Sequence, residues 1–312
     1  MVVKKKVKKN NSEHPTIGII VNTTKEKVFP VLSNFINKLR EKDLKFLISN
    51  DVALHKDLLT GKVNKSEFVE DITLYKKSDL IISVGGDGTM LATAYYAQLY
   101  DKPVLGVNIG KLGFLVETNV DQLGQLLNEI KAGRYTIEER MVIKGCCIDH
   151  NLDELYAIND IVIDKGGWPK MIELEIVVDG EYVTTFSADG LIIATPTGST
   201  GYSISTGGPI VSPKADVITL CPISPHSLTM RPLVLPSSQE ITIRARSQHK
   251  EVHVNCDGQR VFAFPPPLEL KISRSERSVK LVHTSLTNYF ETLRKKLLWG
   301  IDLRNNSINN GE

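Results

Sequence analysis

In this 312-residue chain, residues 80–84 are apolar and run directly into Gly85-Gly86-Asp87-Gly88-Thr89, with a helical run at residues 90–98 behind them. Glycines let a ligand approach the main chain, and the N–H groups that open a helix give a positive end for a diphosphate. An acidic side chain among those groups repels phosphate, so Asp87 makes sense as a proton acceptor or through a metal ion. The same five residues also fit a plain strand-to-helix turn with Asp87 or Thr89 as an ordinary cap.

The second dense stretch begins at Asp189-Gly190-Leu191-Ile192-Ile193-Ala194-Thr195-Pro196-Thr197-Gly198-Ser199-Thr200-Gly201-Tyr202 and continues through Ser205 to Pro209. A buried strand opens into small hydroxyl residues and glycines, which offer many hydrogen bonds without bulk, and Tyr202 adds a stacking surface. A large polar nucleotide needs such a site. By composition alone the stretch also fits a Ser/Thr/Gly-rich surface loop.

The surrounding elements fall into two patterns. Residues 17–22, 45–49, 80–84 and 104–108 read as buried strands, alternating with amphipathic runs such as Val28, Val31, Leu32, Phe35, Ile36 and Leu39, the pattern of helices on a parallel sheet. After Gly133 the period changes to two. Asp179-Gly180 and Asp257-Gly258, each between β-rich runs, predict hairpins. Pro265, Pro266 and Pro267 read as a stiff connector, and residues 286–298 as a closing helix. The expected organisation is a disordered basic tail at residues 1–14, an α/β domain at 15–140, a β-rich domain at 141–282, and a C-terminal helix and tail at 283–312.

Composition bears mainly on what to exclude. Lys+Arg and Asp+Glu number 38 and 36, so no field is expected that would hold nucleic acid or an anionic membrane. No segment approaches the roughly 18 apolar residues of a membrane-spanning helix. Cys146, Cys147, Cys221 and Cys256 show no metal-binding spacing, and reduced thiols in a cytoplasmic protein fit them best.

Taken together, the motifs resemble those of the NAD kinase family, in the family's order and over nearly the whole chain after the tail. Gly85 to Thr89 resembles the diphosphate loop, Gly110-Lys111-Leu112-Gly113-Phe114-Leu115 the next βα loop, and Ala157-Ile158-Asn159-Asp160 the Asn-acid pair. Thr195 to Pro209 resembles the most distinctive signature, and Asn255-Cys256-Asp257-Gly258-Gln259 the late hairpin. The resemblance implies a Rossmann-like α/β domain, a β-rich NAD-binding domain, and a closing helix that returns to the first. It implies transfer of the γ-phosphoryl of ATP to the 2′-hydroxyl of the adenosine ribose of NAD, with Mg²⁺ or another divalent cation, in a homodimer or homotetramer.

Residue by residue, the resemblance makes Asp87 the proton acceptor and Gly85, Gly86, Gly88 and Thr89 the donor loop, with Asp87 and Gly88 also binding NAD. Asn159 and Asp160 would hold the adenosine and its ribose, and Phe114 would pack against a base. Thr197, Thr200, Gly201, Tyr202 and Ser205 would line the dinucleotide pocket, joined by Asp189 of a neighbouring subunit. Lys111, Asp257, Gly258 and Gln259 are further candidates, and the metal ligands are unassigned. Gly201 departs from the family, which usually has alanine there. His226 and Arg231 also match the family's pattern, yet equally fit a Pro-bounded structural loop. A lipid kinase of the diacylglycerol type shares the glycine loop but not the long signature, and a non-catalytic nucleotide sensor would not need Asp87. No Gly-x-x-x-x-Gly-Lys-Ser/Thr sequence occurs.

Overall fold

The computed structural model describes residues 14–59, 63–110, 113–116, 118–147, 154–286 and 288–299. The basic tail before His14 and the stretch after Trp299 lie outside them. The chain forms two compact units, Met1–Glu138 with Leu281–Glu312, and Glu139–Lys280.

The first unit is built on a parallel sheet. From one edge its strands are Phe68–Val69, Phe46–Ser49, Ile17–Val21, Leu80–Gly85 and Val104–Asn108, and Leu281 pairs onto the last. This is a Rossmann-like order, and strands so placed are covered on both faces. Leu80–Gly85 is accordingly buried at every position but its last. The helix Val28–Glu41 buries Val28, Phe29, Leu32, Phe35, Ile36 and Leu39, one apolar stripe at helical spacing.

The chain after Leu281 belongs to this first unit, as the returning closing helix requires. Its attachment includes Ser285, whose N–H donates to Glu129 Oε2 at 3.0 Å. The helix runs Tyr289–Leu297, starting later than residue 286 because Asn288 Oδ1 caps it, accepting from the N–H groups of Phe290 and Glu291.

The second unit is β-rich. One antiparallel sheet orders Leu233–Pro236, Val217–Ile223, Gly190–Ala194, Asp160–Asp164, Val252–Cys256 and Arg260–Phe264. Facing strands include Glu181–Ala188, Ile172–Val178, Ile241–Arg246 and Leu268–His283. Alternate residues such as Ile161, Ile163, Leu191, Ile193, Leu174, Ile176, Ile243 and Leu270 share one core. Both Asp-Gly hairpins form, with Asp179 and Gly180 at φ 50° and 82°, and Asp257 and Gly258 at φ 57° and 66°. Two successive left-handed residues are what the twist of a two-residue hairpin demands.

Candidate active site

In the first unit, Leu80–Gly85 and Val104–Asn108 end side by side, Gly85 opposite Asn108, so the loops that leave them begin as neighbours. Gly86 is the N-cap of the helix Asp87–Leu99, with no side-chain cap hydrogen bond, and Asp87 is its first residue. Neither Asp87 nor Thr89 is therefore the cap that a plain turn would use. The glycines of this loop also avoid left-handed backbone, and space is what they supply. A Cβ on Gly85 would lie 2.4 Å from Thr89 Oγ1, whereas one on Gly86 would meet no described atom within 4 Å. The main chain at Gly86 is thus open at the positive end of a helix. Gly88 is exposed in the first turn.

The Asp87 carboxylate reaches into the second loop. Phe114 N–H donates to Oδ2 at 2.8 Å and Leu115 N–H to Oδ1 at 3.0 Å. A Cβ on Gly113 would fall 1.9 Å from Oδ1, so glycine is what lets the loop wrap the carboxylate. Lys296 Nζ stands 3.7 Å from Oδ2 and 4.2 Å from the centre of the Phe114 ring. The side chain of Asp87 keeps 33% exposure. It is a fixed carboxylate with lone pairs left to accept a proton. At the foot of the loop, buried Asn108 donates to Gly110 O at 2.8 Å and accepts from Gly110 N at 3.2 Å. Lys111 lies outside the described residues.

In the second unit, strand register gathers three motifs that are distant in sequence. Ala194 pairs with Asp160, and Cys256 with Ile161. The Thr195 segment, the Asn159-Asp160 pair and the Asp257 turn therefore meet at one end of the sheet. Thr195 N–H donates to Asn159 O at 2.8 Å, Asp257 N–H to Asp160 O at 3.0 Å, and Thr195 Oγ1 to Ile158 O at 2.6 Å. The Asp257 carboxylate, nearly buried, accepts from the amides of Ile158 at 2.9 Å, Asn159 at 2.6 Å and Asp160 at 3.3 Å. Arg260 Nη2 closes the arrangement, donating to Asp257 Oδ2 at 3.1 Å and to Tyr156 O at 2.6 Å. Asp257 is thus occupied in shaping the Asn159 turn.

Asp160 is 4% exposed. Burial, and then the neighbouring Asp257 carboxylate, push its carboxyl up to about 7. Burial also raises Asp257, against the pull of the Asn159 and Ile158 amides and Arg260. Asn159 Oδ1 is a buried acceptor with no hydrogen-bond partner among the described residues, an uncommon state for such an atom.

The Thr195–Pro209 stretch is a pair of short helical turns, Gly198–Thr200 and Tyr202–Ser205, and not an open loop. Its hydroxyls donate inward: Ser199 to Pro196 O at 2.7 Å, Thr200 to Thr197 O at 3.3 Å, and Ser205 to Tyr202 O at 2.8 Å. They build the turns and retain only acceptor capacity for a ligand. Thr197 is buried and faces Arg140, whose Nη1 approaches its Oγ1 at 3.4 Å. A Cβ on Gly198 would strike Asn159 O at 2.1 Å. One on Gly201 would lie 3.5 Å from Asn159 Nδ2 and 3.8 Å from Asp160 Oδ2, so exposed Gly201 borders the Asn-acid pair directly. Tyr202 is 48% exposed beside it, and Ser205 is exposed.

Asp189 sits at the opposite end of the strand Gly190–Ala194 from Thr195, where it pairs with Lys165 at 2.6 Å. Within one chain it stands apart from the Asn159 cluster. Arg231 Nη1 donates to the carbonyls of Leu228 and Met230 in its own loop, as a structural residue would, and His226 is exposed. Gly258 and Gln259 are exposed in the hairpin, with Gln259 N–H closing it onto Cys256 O at 3.1 Å. The motifs assigned no site role to Arg260, which meets Asp257 from three residues along across the hairpin, or to Lys296, which only long-range packing brings to Asp87.

Among the described residues no three of His, Cys, Asp and Glu gather into a metal-binding group. None of their helices is long and apolar enough to cross a membrane. Residues 17–135 match the ATP-NAD kinase N-terminal domain family and residues 158–284 the ATP-NAD kinase C-terminal domain family. The NAD kinase of Chlorobium phaeobacteroides is 36% identical, covering 91% of this chain and 96% of that one. The NAD kinase of Gemmatimonas aurantiaca is 43% identical over 74% of this chain and 81% of its own. The crystal structure of yeast NADH kinase complexed with NADH superposes with a TM-score of 0.82 at 26% identity, covering 94% of this chain and 93% of that one. With both halves matched in order and the glycine-acid loop and Asn-acid pair in place, the chain belongs to the NAD kinase family.

Proposed function

We propose that this chain transfers the γ-phosphoryl group of ATP to the 2′-hydroxyl of the adenosine ribose of NAD, giving NADP and ADP. The observation that carries the reading is Asp87, a partly exposed carboxylate held by two main-chain amides in the first turn of a helix whose N-cap Gly86 is open. Asp87 takes the hydroxyl proton as the ribose oxygen bonds to the γ-phosphorus and the bond to the β–γ bridging oxygen breaks. Phosphoryl transfer asks chiefly for positioning and charge neutralisation, so one carboxylate and oriented main-chain donors suffice from the protein. Gly85, Gly86, Gly88 and Thr89 hold the donor phosphates.

Mg²⁺ or another divalent cation, carried on the triphosphate, neutralises its charge. Asp87, a partly exposed carboxylate in the first turn of the helix behind the open Gly86, would be a chain ligand for a cation arriving with its nucleotide. Asn159 and Asp160 hold the adenosine and ribose, which supplies a donor for the unpartnered Asn159 Oδ1. Thr197, Thr200, Gly201, Tyr202 and Ser205 complete the dinucleotide site beside that pair, with Gly258 and Gln259 as further candidates, and Phe114 and Lys111 are the first unit's candidates for contacting NAD. Homodimeric or homotetrameric assembly would let Asp189 serve a neighbouring subunit, which its place at the far end of its strand supports. A cytoplasmic location suits the free cysteines Cys146, Cys147, Cys221 and Cys256. The NADH held by the yeast kinase and the ATP held by the Archaeoglobus fulgidus NAD kinase, whose TM-score is 0.68 at 25% identity, support both substrates. The test is a coupled assay for NADP from NAD and Mg-ATP. Sustained turnover is expected, and NAD binding without NADP formation would favour a sensor.

A further inference from the structure

Lys295 and Lys296 are adjacent in the last turn of the helix Tyr289–Leu297, where lysines ordinarily extend into water and complement the carbonyl end. Lys295 behaves so, 64% exposed and paired with Glu291 one turn back at 2.7 Å. Lys296 does not. Its side chain is only 27% exposed, and its ammonium is placed against both the Asp87 carboxylate, at 3.7 Å, and the face of the Phe114 ring, at 4.2 Å. Phe114 itself donates its N–H to the same carboxylate oxygen that Lys296 approaches. One ammonium therefore ties the helix that starts at Asp87, the loop that carries Phe114 and the closing helix into a single cluster. An aromatic face and a carboxylate both attract a cation, and together they fix its position more narrowly than either would alone.

We propose that Lys296 is a positioning residue for phosphoryl transfer, holding the Asp87 carboxylate and the Phe114 ring in one arrangement. The proposal rests on the reading of Asp87 as proton acceptor. The two amides that Asp87 accepts leave its carboxylate able to move with the Gly113–Leu115 loop, since carboxylate and loop are bonded to each other. Lys296 contacts that pair from a separate element, which is fastened through Ser285 to Glu129. Removing the ammonium would let carboxylate and loop shift together without unfolding either, and a displacement near 1 Å is enough to slow a positioned reaction greatly.

The test is a mutant cycle on the full-length enzyme, measuring kcat, the KM values for NAD and ATP, and melting temperature for Lys296→Met, Lys296→Arg, Asp87→Asn and the Lys296→Met/Asp87→Asn double variant. Lys296→Met should lose roughly tenfold or more in kcat, with melting within about 2 °C of the parent. Lys296→Arg, which keeps the charge and the aromatic contact, should recover most of that rate. In the Asp87→Asn background, Lys296→Met should change kcat by less than about twofold, because it acts through the carboxylate. Lys296→Gln gives a second arm of the same cycle should the methionine variant melt early. A kcat within about twofold of the parent for the uncharged variants, or losses that multiply in the double variant, would overturn the proposal. Asp87→Asn alone judges the proton-acceptor reading, so the two failures are separately visible.

Discussion

Asn159 N–H donates to Asp257 Oδ1 at 2.6 Å across 98 residues of sequence, and this bond defines the turn that presents the Asn-acid pair. Asp257 accepts from Ile158 and Asp160 as well, so its carboxylate serves as the template of the turn. Asp257→Ala leaves those buried amides without an acceptor, at a cost of about 1–3 kcal/mol. For a chain of this size the melting temperature should fall by several degrees. The KM for NAD should rise roughly tenfold or more while that for ATP stays near the parent value, because the damage is confined to the Asn159 turn. Steady-state kinetics with each substrate varied in turn checks this. Equal rises in both would show that Asp257 does not act through that turn.

Asp160 makes stability depend on pH in a defined direction. Its carboxyl is raised from an ordinary value near 4 to about 7, so between those values the folded chain holds a proton that the unfolded chain has released. Stability from this group therefore falls as pH rises from about 4 towards 7. Asp160→Asn, which stays neutral, should remove that component. Melting curves from pH 5 to 8 should show the variant gaining on the parent as pH rises, and a constant difference across the range would contradict it.

Gly201 lies on the border of the Asn159-Asp160 pair. A leucine there starts from a Cβ 3.2 Å from Gly198 O and extends across Asn159 and Asp160. Gly201→Leu should raise the KM for NAD by roughly tenfold or more and leave that for ATP within about twofold. An equal rise in both, with normal melting, would assign the segment to the phosphate donor instead.

Gly113→Ala tests the geometry around Asp87 without touching its chemistry. The added Cβ would overlap Oδ1 at 1.9 Å, and the carboxylate is too tightly held by Phe114 and Leu115 to swing aside freely. The loop or the carboxylate must move, so kcat should drop by roughly tenfold to a hundredfold. Stopped-flow and steady-state rates near the parent value would mean that the position of Asp87 is unimportant to turnover.

Local features were legible in the sequence because their causes are local. The strand, Gly85 to Thr89, and the following helix adjoin in the chain, and both Asp-Gly hairpins follow from the left-handed pair each turn requires. What the Thr195–Ser205 hydroxyls do was not legible: composition shows donors, whereas only the folded turn shows that Ser199, Thr200 and Ser205 spend them on nearby carbonyls. Asp257 read first as a turn residue, and the amides it gathers come from another strand through antiparallel register. Lys296 lies in the last turn of the closing helix, and its contact with Asp87 depends on where that helix packs. Helix 289–297 began later than its apolar pattern because one asparagine cap outweighed that pattern.

The rate effects expected at Gly113 and Lys296 rest on Asp87 accepting the ribose proton. Asparagine nearly matches its shape but can accept at only one of the two oxygens' positions, so Asp87→Asn should weaken one loop hydrogen bond, worth about 1 kcal/mol, and melt slightly earlier. General-base help is worth ~10²–10⁴ in rate. The direct measurement is kcat for NADP formation by Asp87→Asn, with NAD affinity determined separately by calorimetry. A loss of about a hundredfold or more in kcat with NAD affinity near the parent value is the expected result, the pattern of an interaction used in the transition state. Normal NAD binding with turnover near the parent rate would contradict the claim and leave Asp160 as the carboxylate to test.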